Sequence, residues 1–184
     1  MNDIERSSHT GATVNGLYGL YVRMMQWLGH YRWFSLYVKH VGSKFDRALL
    51  RVTRGRLSAL GSALPTMLLT TTGNKTGKQR TVPVFYVLDG KNVVAACENL
   101  GLEAASSWPK NLRSDPRARI EIEGTAASYL ARPATQEETD RNMPSLIAMW
   151  PAHDTYLKRG GARYVFVFEP VDVTTPMEAT VATA

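Results

Sequence analysis

The sequence lacks most of what would staple or wire a small protein together. A single cysteine, Cys97, in 184 residues leaves no internal disulfide framework and no multi-cysteine zinc site, and fits a reducing cytoplasm. The histidines His9, His30, His40 and His153 show no paired ligand spacing, so no metal centre is expected. No apolar run approaches the roughly 18 residues that span a bilayer. Met1–Asn15 has neither the basic start nor the apolar core of a signal peptide. Nucleophile elbows of the G-x-S-x-G kind, internal repeats and low-complexity linkers are all missing. What remains is an ordinary globular composition, 44% apolar and 21% charged, which argues against disorder and coiled coil. A chain of this length buries enough surface to hold a core without cross-links.

The net charge of +6 is unevenly spread. Residues 1–60 carry nine Lys and Arg against Asp3, Glu5 and Asp46, whereas residues 61–184 hold thirteen of each sign. The excess therefore belongs to a head, residues 1–64, and not to a body, residues 65–184. Three helical stripes run through the head: Leu17, Leu20, Tyr21, Met24, Met25 and Leu28, then Phe34, Tyr37, Val38, Val41 and Phe45, then Phe45, Ala48, Leu49 and Val52. A Gly- and Ser-containing stretch, Gly55–Ala63, and Pro65 close it. Between Arg23 and Arg56 the cations interleave with Trp27, Tyr31, Trp33, Phe34 and Tyr37. Such a segment suits an anionic membrane surface, engaged through residues 17–57. Equally, it suits a helical extension packed on the body with its cations in water. It carries no nucleic-acid motif, and no nucleic-acid partner is expected.

The body reads as six short strands, at Met67–Thr71, Thr81–Leu88, Asn92–Cys97, Arg119–Glu123, Ala126–Arg132 and Tyr164–Glu169. Thr81–Leu88 is apolar on both faces and needs cover on both sides. Asp89-Gly90 predicts a hairpin, Asp115-Pro116 ends a short helix over Ser106–Ser114, and Thr135 with Glu138 opens a helix to about Trp150, in which Pro144 predicts a kink or second start. Glu121 and Glu123 would share the wet face of a strand. Hairpin-joined strands with helices between them predict an α+β fold built on a small β-barrel.

Two places could carry chemistry. Gly73–Thr81 combines glycines, which let backbone N–H groups approach an anion, with the cations Lys75, Lys78 and Arg80 and the hydroxyl of Thr76. Its glycine spacing and the strand that follows exclude a phosphate-binding P-loop, and a solvated hairpin turn explains it equally well. Trp150, His153 and Tyr156 recur every third residue, which on a helix gives one side: a pocket wall with two proton donors, or an aromatic face packed on the barrel. An imidazole titrates nearest to neutral pH, so His153 is the first candidate proton donor and Tyr156 the second.

Taken together, Leu68–Gly77, Arg80-Thr81-Val82-Pro83, Trp108 with Asn111-Leu112, and Asp115-Pro116 resemble the deazaflavin-dependent nitroreductase and quinone reductase family, whose members use coenzyme F420. The resemblance covers about Pro65–Pro170. It implies a split β-barrel, like that of FMN-binding proteins, and hydride transfer from the reduced deazaflavin to an electrophilic small molecule: a quinone, an enone or activated alkene, or a nitroaromatic. It further implies that Lys75, Thr76 and Arg80, with Lys78 at the rim, grip the coenzyme's phosphate and glutamate tail. Val82 and Pro83 would approach the deazaflavin ring, Ala96, Glu98 and Asn99 would form the far wall, and Trp108 with Asn111 would close the groove. Asn74 stands where arginine is frequent, Pro109 where a tyrosine is often found, and Trp150 and His153 where nitro-reducing members present tyrosines; these departures favour a quinone or enone over a nitro compound. An FMN-dependent reductase on the same barrel and a non-catalytic, membrane-peripheral deazaflavin-binding protein are the alternatives. The expected location is cytoplasmic, on the inner face of the membrane if the head binds lipid. Monomer and homodimer both stay open.

Overall fold

The computed structural model describes residues 16–38, 40, 45, 48–49, 52–53, 64–102, 107–160 and 162–171. The Gly55–Ala63 stretch and most of the third helical stripe lie outside them. Seven antiparallel strands are described: β1 (Thr66–Thr72), β2 (Gln79–Phe85), β3 (Val87–Asp89), β4 (Asn92–Cys97), β5 (Arg117–Ile122), β6 (Thr125–Pro133) and β7 (Tyr164–Pro170). They form one sheet in the order β2-β1-β5-β6-β7-β4-β3. Five α-helices are bounded among the described residues: α1 (Gly16–Gly29), α2 (Arg32–Tyr37), α3 (Ser107–Ser114), α4 (Gln136–Met149) and α5 (Ala152–Gly160).

The continuous strand expected over Thr81–Leu88 is two strands. β2 pairs with β1 at one edge of the sheet and β3 with β4 at the other, with only Tyr86 between them. A chain can cross from edge to edge in one residue only if the sheet is curled until its edges meet. That step makes the barrel, and it leaves the barrel split, because Tyr86 donates its N–H to Pro65 and not across the seam. Pro83 is tolerated because β2 is an edge strand, where one N–H need not join a ladder.

Alternation along β4 and β7 then builds two cores. Val93, Ala95, Cys97, Phe166 and Phe168 face the barrel interior with Met67, Leu69 and Ile120, and α3 adds Trp108 and Leu112. Val94, Ala96, Val165 and Val167 face outward and are covered by Met143 and Leu146 of α4. The capping box predicted at Thr135 and Glu138 opens α4, with both reciprocal bonds present. Pro144 does not break that helix. The carbonyl it leaves without a donor belongs to Asp140, which is exposed to water. Glu123 lies past the end of β5, in a turn at φ 49°, and so shares no strand face with Glu121.

A third cluster joins head to body. Phe34 and Leu64 pack with Trp150, Ala152 and Tyr156, flanked by Met25, Leu28, Val38 and Phe85. Gln26 Nε2 donates to the Met149 carbonyl (2.9 Å), and His30 Nδ1 lies 2.6 Å from Thr155 Oγ1. Gly29 sits so close to Trp150 that a Cβ there would stand 2.7 Å from the indole. The buried face of α1 is therefore centred on Met25, Leu28 and Gly29. Leu20 and Met24, expected on the same stripe, are exposed together with Trp27, Tyr31, Trp33, Leu36 and Tyr37. No described helix is long and apolar enough to cross a membrane.

Candidate active site

The strand directions bring the cationic loop and the turn after β4 to one end of the sheet, whereas Trp150 and Tyr156 pack with Leu64 and Phe85, at the other end of β1 and β2. Thr71 pairs with Ala118, Arg117 with Leu130, Pro133 with Phe166 and Cys97 with Tyr164. The end of β1, the start of β2 and β5, the end of β6, the start of β7 and the end of β4 therefore share one rim. The cationic loop sits there beside α3, and so does the turn that leaves β4.

Between β1 and β2 the loop is a closed turn. Gly73 N–H donates to the Lys78 carbonyl, and the N–H groups of Thr76 and Gly77 donate back to the Gly73 carbonyl. A side chain at Gly73 would meet Thr76 Oγ1 at 3.0 Å and the Lys78 carbonyl at 3.1 Å, and Gly77 adopts φ +63°, so both glycines are needed. Lys75, Thr76, Lys78 and Arg80 are exposed, and none of the three cations has a carboxylate partner among the described residues. Unpaired cations in water cost little and are ready for an anion, so the loop fits the phosphate and carboxylates of the coenzyme tail. Val82 and Pro83 follow on β2, half-buried.

Two residues expected to close the groove are buried. Asn111 is buried; its Nδ2 donates to Thr71 Oγ1 (2.9 Å) and its Oδ1 accepts from Asn74 N–H (3.2 Å). It ties α3 to the base of the cationic loop. Trp108 is buried against the rings of Phe166 and Phe168. Ala96 lies under α4.

Beyond β4 the chain makes a tight 3-10 turn, with Asn99 at φ 53°, Leu100 at φ 56° and Gly101 at φ +67°. Glu98, just before it, is fully enclosed, its side chain 1% exposed, and cannot reach an open groove. One carboxylate oxygen accepts from His153 Nδ1 (2.8 Å) and the other from Arg163 Nε (2.6 Å). Arg163 in turn donates to Asp154 (3.0 Å). Burial works against the Arg163 charge, but the bonds to Asp154 and Glu98 outweigh it and hold the guanidinium above its ordinary range.

Trp150, His153 and Tyr156 do not line an open pocket in this structure. All three are at least nine-tenths buried: α1 and α2 pack over Trp150 and Tyr156, and His153 lies against Glu98. Trp150 Nε1 donates to Tyr156 Oη (3.2 Å). Burial pushes the Tyr156 phenol up despite its bonds to Trp150 and Ser35, which makes it a poorer proton donor. His153 Nε2 is buried with no partner among the described residues. A cavity of about 290 Å³ opens on the same rim, between Arg113, Pro133, Gln136, Thr139, Arg163 and Tyr164, and includes none of the predicted residues. Sequence reasoning missed Arg163 and Asp154. A glutamate at the end of an apolar strand signals that a cation must pair with it, but not which one.

A split barrel whose rim carries exposed cations, without carboxylate partners among the described residues, suits an anionic coenzyme. The family model described as F420H(2)-dependent quinone reductase matches residues 43–170. An F420H(2)-dependent quinone reductase of Mycobacterium tuberculosis is 30% identical over 113 residues, covering 59% of this chain and 74% of the relative. A solved F420-H2 dependent reductase superposes with a TM-score of 0.52 at 25% identity, over 57% of this chain and 94% of that one. A domain-swapped dimer at 21% identity and TM-score 0.52, over 68% and 96%, shares the fold. The chain belongs to the F420H(2)-dependent quinone reductase family. Coenzyme F420 is accordingly its cofactor, and FMN is a secondary reading.

Proposed function

We propose that the chain reduces a quinone with reduced coenzyme F420, binding the coenzyme tail through Lys75, Thr76, Lys78 and Arg80 and supplying the proton from His153. The observation that carries this reading is, among the described residues, a loop of three exposed cations without carboxylate partners, supported by a buried His153 Nε2 without a hydrogen-bond partner. The coenzyme supplies the hydride. The protein's part is to hold the tail at the loop, place Val82 and Pro83 along the ring, exclude water and deliver one proton. Tyr156, with its phenol pushed up, holds Trp150 in place and does not donate.

The head, residues 1–64, is an extension of the barrel domain, 65–184, and its described helices α1 and α2 cover the acceptor side. An acceptor reaches His153 by displacing α1 and α2, which are held to α4 and α5 by Gln26 on the Met149 carbonyl, His30 on Thr155, Ser35 on Tyr156 and the contacts around Phe34 and Gly29. The outer face of the head, with Trp27, Tyr31, Trp33 and Tyr37 exposed beside Arg23 and Arg32, suits an anionic membrane, where lipid-soluble quinones reside. Salt-sensitive pelleting with phosphatidylglycerol vesicles tests that surface, and equal pelleting without residues 1–60 would remove it.

The test of the activity is a pair of variants with reduced F420 and menadione. Arg80→Ala should weaken coenzyme binding with little change in turnover of the bound complex. His153→Phe should lower kcat with the coenzyme still bound. Unchanged turnover in His153→Phe would eliminate the imidazole as donor, and absence of menadione-dependent oxidation of reduced F420 by the wild-type protein would overturn the reading as a whole.

A further inference from the structure

The geometry points to Glu98 as a positioning residue: its carboxylate fixes the Nδ1 proton of His153 and so reserves Nε2 for the acceptor. This rests on the proposed role of His153. An ionised carboxylate only accepts, so Nδ1 must carry the hydrogen in the 2.8 Å contact. That holds whether the ring is neutral or charged, and the proton that comes and goes is therefore the one on Nε2. Nε2 is the atom left buried and unpartnered. Buried ring nitrogens are nearly always satisfied, and the vacancy has an explanation if an acceptor oxygen fills it.

The backbone is shaped to make this contact. Asn99 and Leu100 both adopt positive φ, a conformation that asparagine visits readily but that is strained for leucine. The turn is locked by Asn99 Nδ2 donating to the Leu102 carbonyl (2.6 Å). Gly101 lies against α5, where a Cβ would meet Tyr156 Cα at 3.1 Å, and a Cβ at Gly160 would meet the Glu98 carbonyl at 3.4 Å. Strain is accepted here to press Glu98 against the helix that carries His153. Arg163 holds the second carboxylate oxygen and is itself held by Asp154, so the carboxylate cannot rotate away. In the step, the Nε2–H bond breaks and an O–H bond forms on the quinone oxygen. The quinone, having gained a hydride and this proton, leaves as hydroquinone, and the imidazole recovers its proton from solvent.

Two measurements test the inference, one of them without coenzyme or acceptor. In long-range ¹H–¹⁵N spectra of the wild-type protein, assigned by comparison with His153→Gln, His153 should carry its proton on Nδ1. A neutral ring protonated on Nε2 overturns the inference, whatever the variants do. In turnover with reduced F420 and menadione, Glu98→Gln should lower kcat roughly 10–100-fold while the menadione KM and the coenzyme Kd stay within about twofold. If His153→Phe lowers kcat and a folded Glu98→Gln does not, positioning by Glu98 is wrong and the proton-donor reading survives. If neither lowers kcat, the proton-donor reading has failed first. Should Glu98→Gln not fold, the wild-type tautomer alone decides.

Discussion

The two halves of the site treat charge in opposite ways. At the loop, Lys75, Lys78 and Arg80 are exposed, with no carboxylate partner among the described residues. At α5, two carboxylates and a guanidinium are bound to one another and to His153, with Glu98 fully enclosed. A solvated cation costs the fold nothing and keeps its full attraction for a ligand. A buried charge exists only because its partners do, so it contributes geometry and little free energy of its own. Substitutions in the first half should therefore register in binding, and those in the second in stability and turnover.

The sharpest break of that contrast is Arg163→Ala. It leaves the Glu98 carboxylate enclosed with one partner, an arrangement that costs about 3–5 kcal/mol in buried pairs. For a chain of this size that is a fall in Tm of roughly 10 °C. Calorimetry checks it, and a Tm within a degree or two of wild type would mean that water replaces the guanidinium and the α5 side is not closed. Gly29→Ala tests closure from the other direction. The added methyl would lie 2.7 Å from the buried Trp150 ring, so either the core strains, by about 1–3 kcal/mol, or the head lifts. Limited proteolysis distinguishes the two, because a lifted head is cut within residues 16–38 while the barrel survives.

Arg80→Ala is the counterpart at the open loop. Its Tm should not move, since the side chain has no partner to lose. The Kd for coenzyme F420 should rise about tenfold, the worth of one charge-assisted hydrogen bond. Isothermal titration measures it. A large Tm change with unaltered Kd would reverse the assignment of the loop as a binding element.

How much of this was legible depended on whether a pattern had one solution. β4 and β7 alternate apolar residues between two cores, and their strands could be read directly. Thr81–Leu88 carries the same apolar character through Tyr86, so nothing local shows that the chain changes edges there; only the closure of the whole sheet demands it. Helix α1 is apolar on two faces, Leu20 with Met24 and Met25 with Leu28, and which one is buried depends on where Gly29 lets Trp150 approach. The loop's glycines and cations were legible as a candidate anion site, because their chemistry is local. Glu98 announced only that some cation must meet it. Trp108 and Asn111 were legible as members of the site but not as its buried supports, because a motif gives position in the chain and not the direction of a side chain.

The smallest effect expected sharpens the contrast most cleanly. The Asn74 side chain is exposed, and its only role among the described contacts is played by its backbone N–H, which donates to Asn111. Asn74→Arg therefore adds a fourth cation to the open loop without disturbing a bond, at the position where relatives that the sequence resembles frequently have arginine. A solvated charge a few ångströms from an anionic tail should tighten coenzyme binding only about two- to fivefold at low salt. Because the site is open, most of that gain should disappear when ionic strength is raised toward 1 M, where the Debye length falls to about 3 Å. Titrations at two salt concentrations measure both numbers. A gain that survives high salt would mean that the loop closes over the tail and excludes water, and the division between an open, solvated half and a closed, neutralised half would then hold only in the absence of the coenzyme.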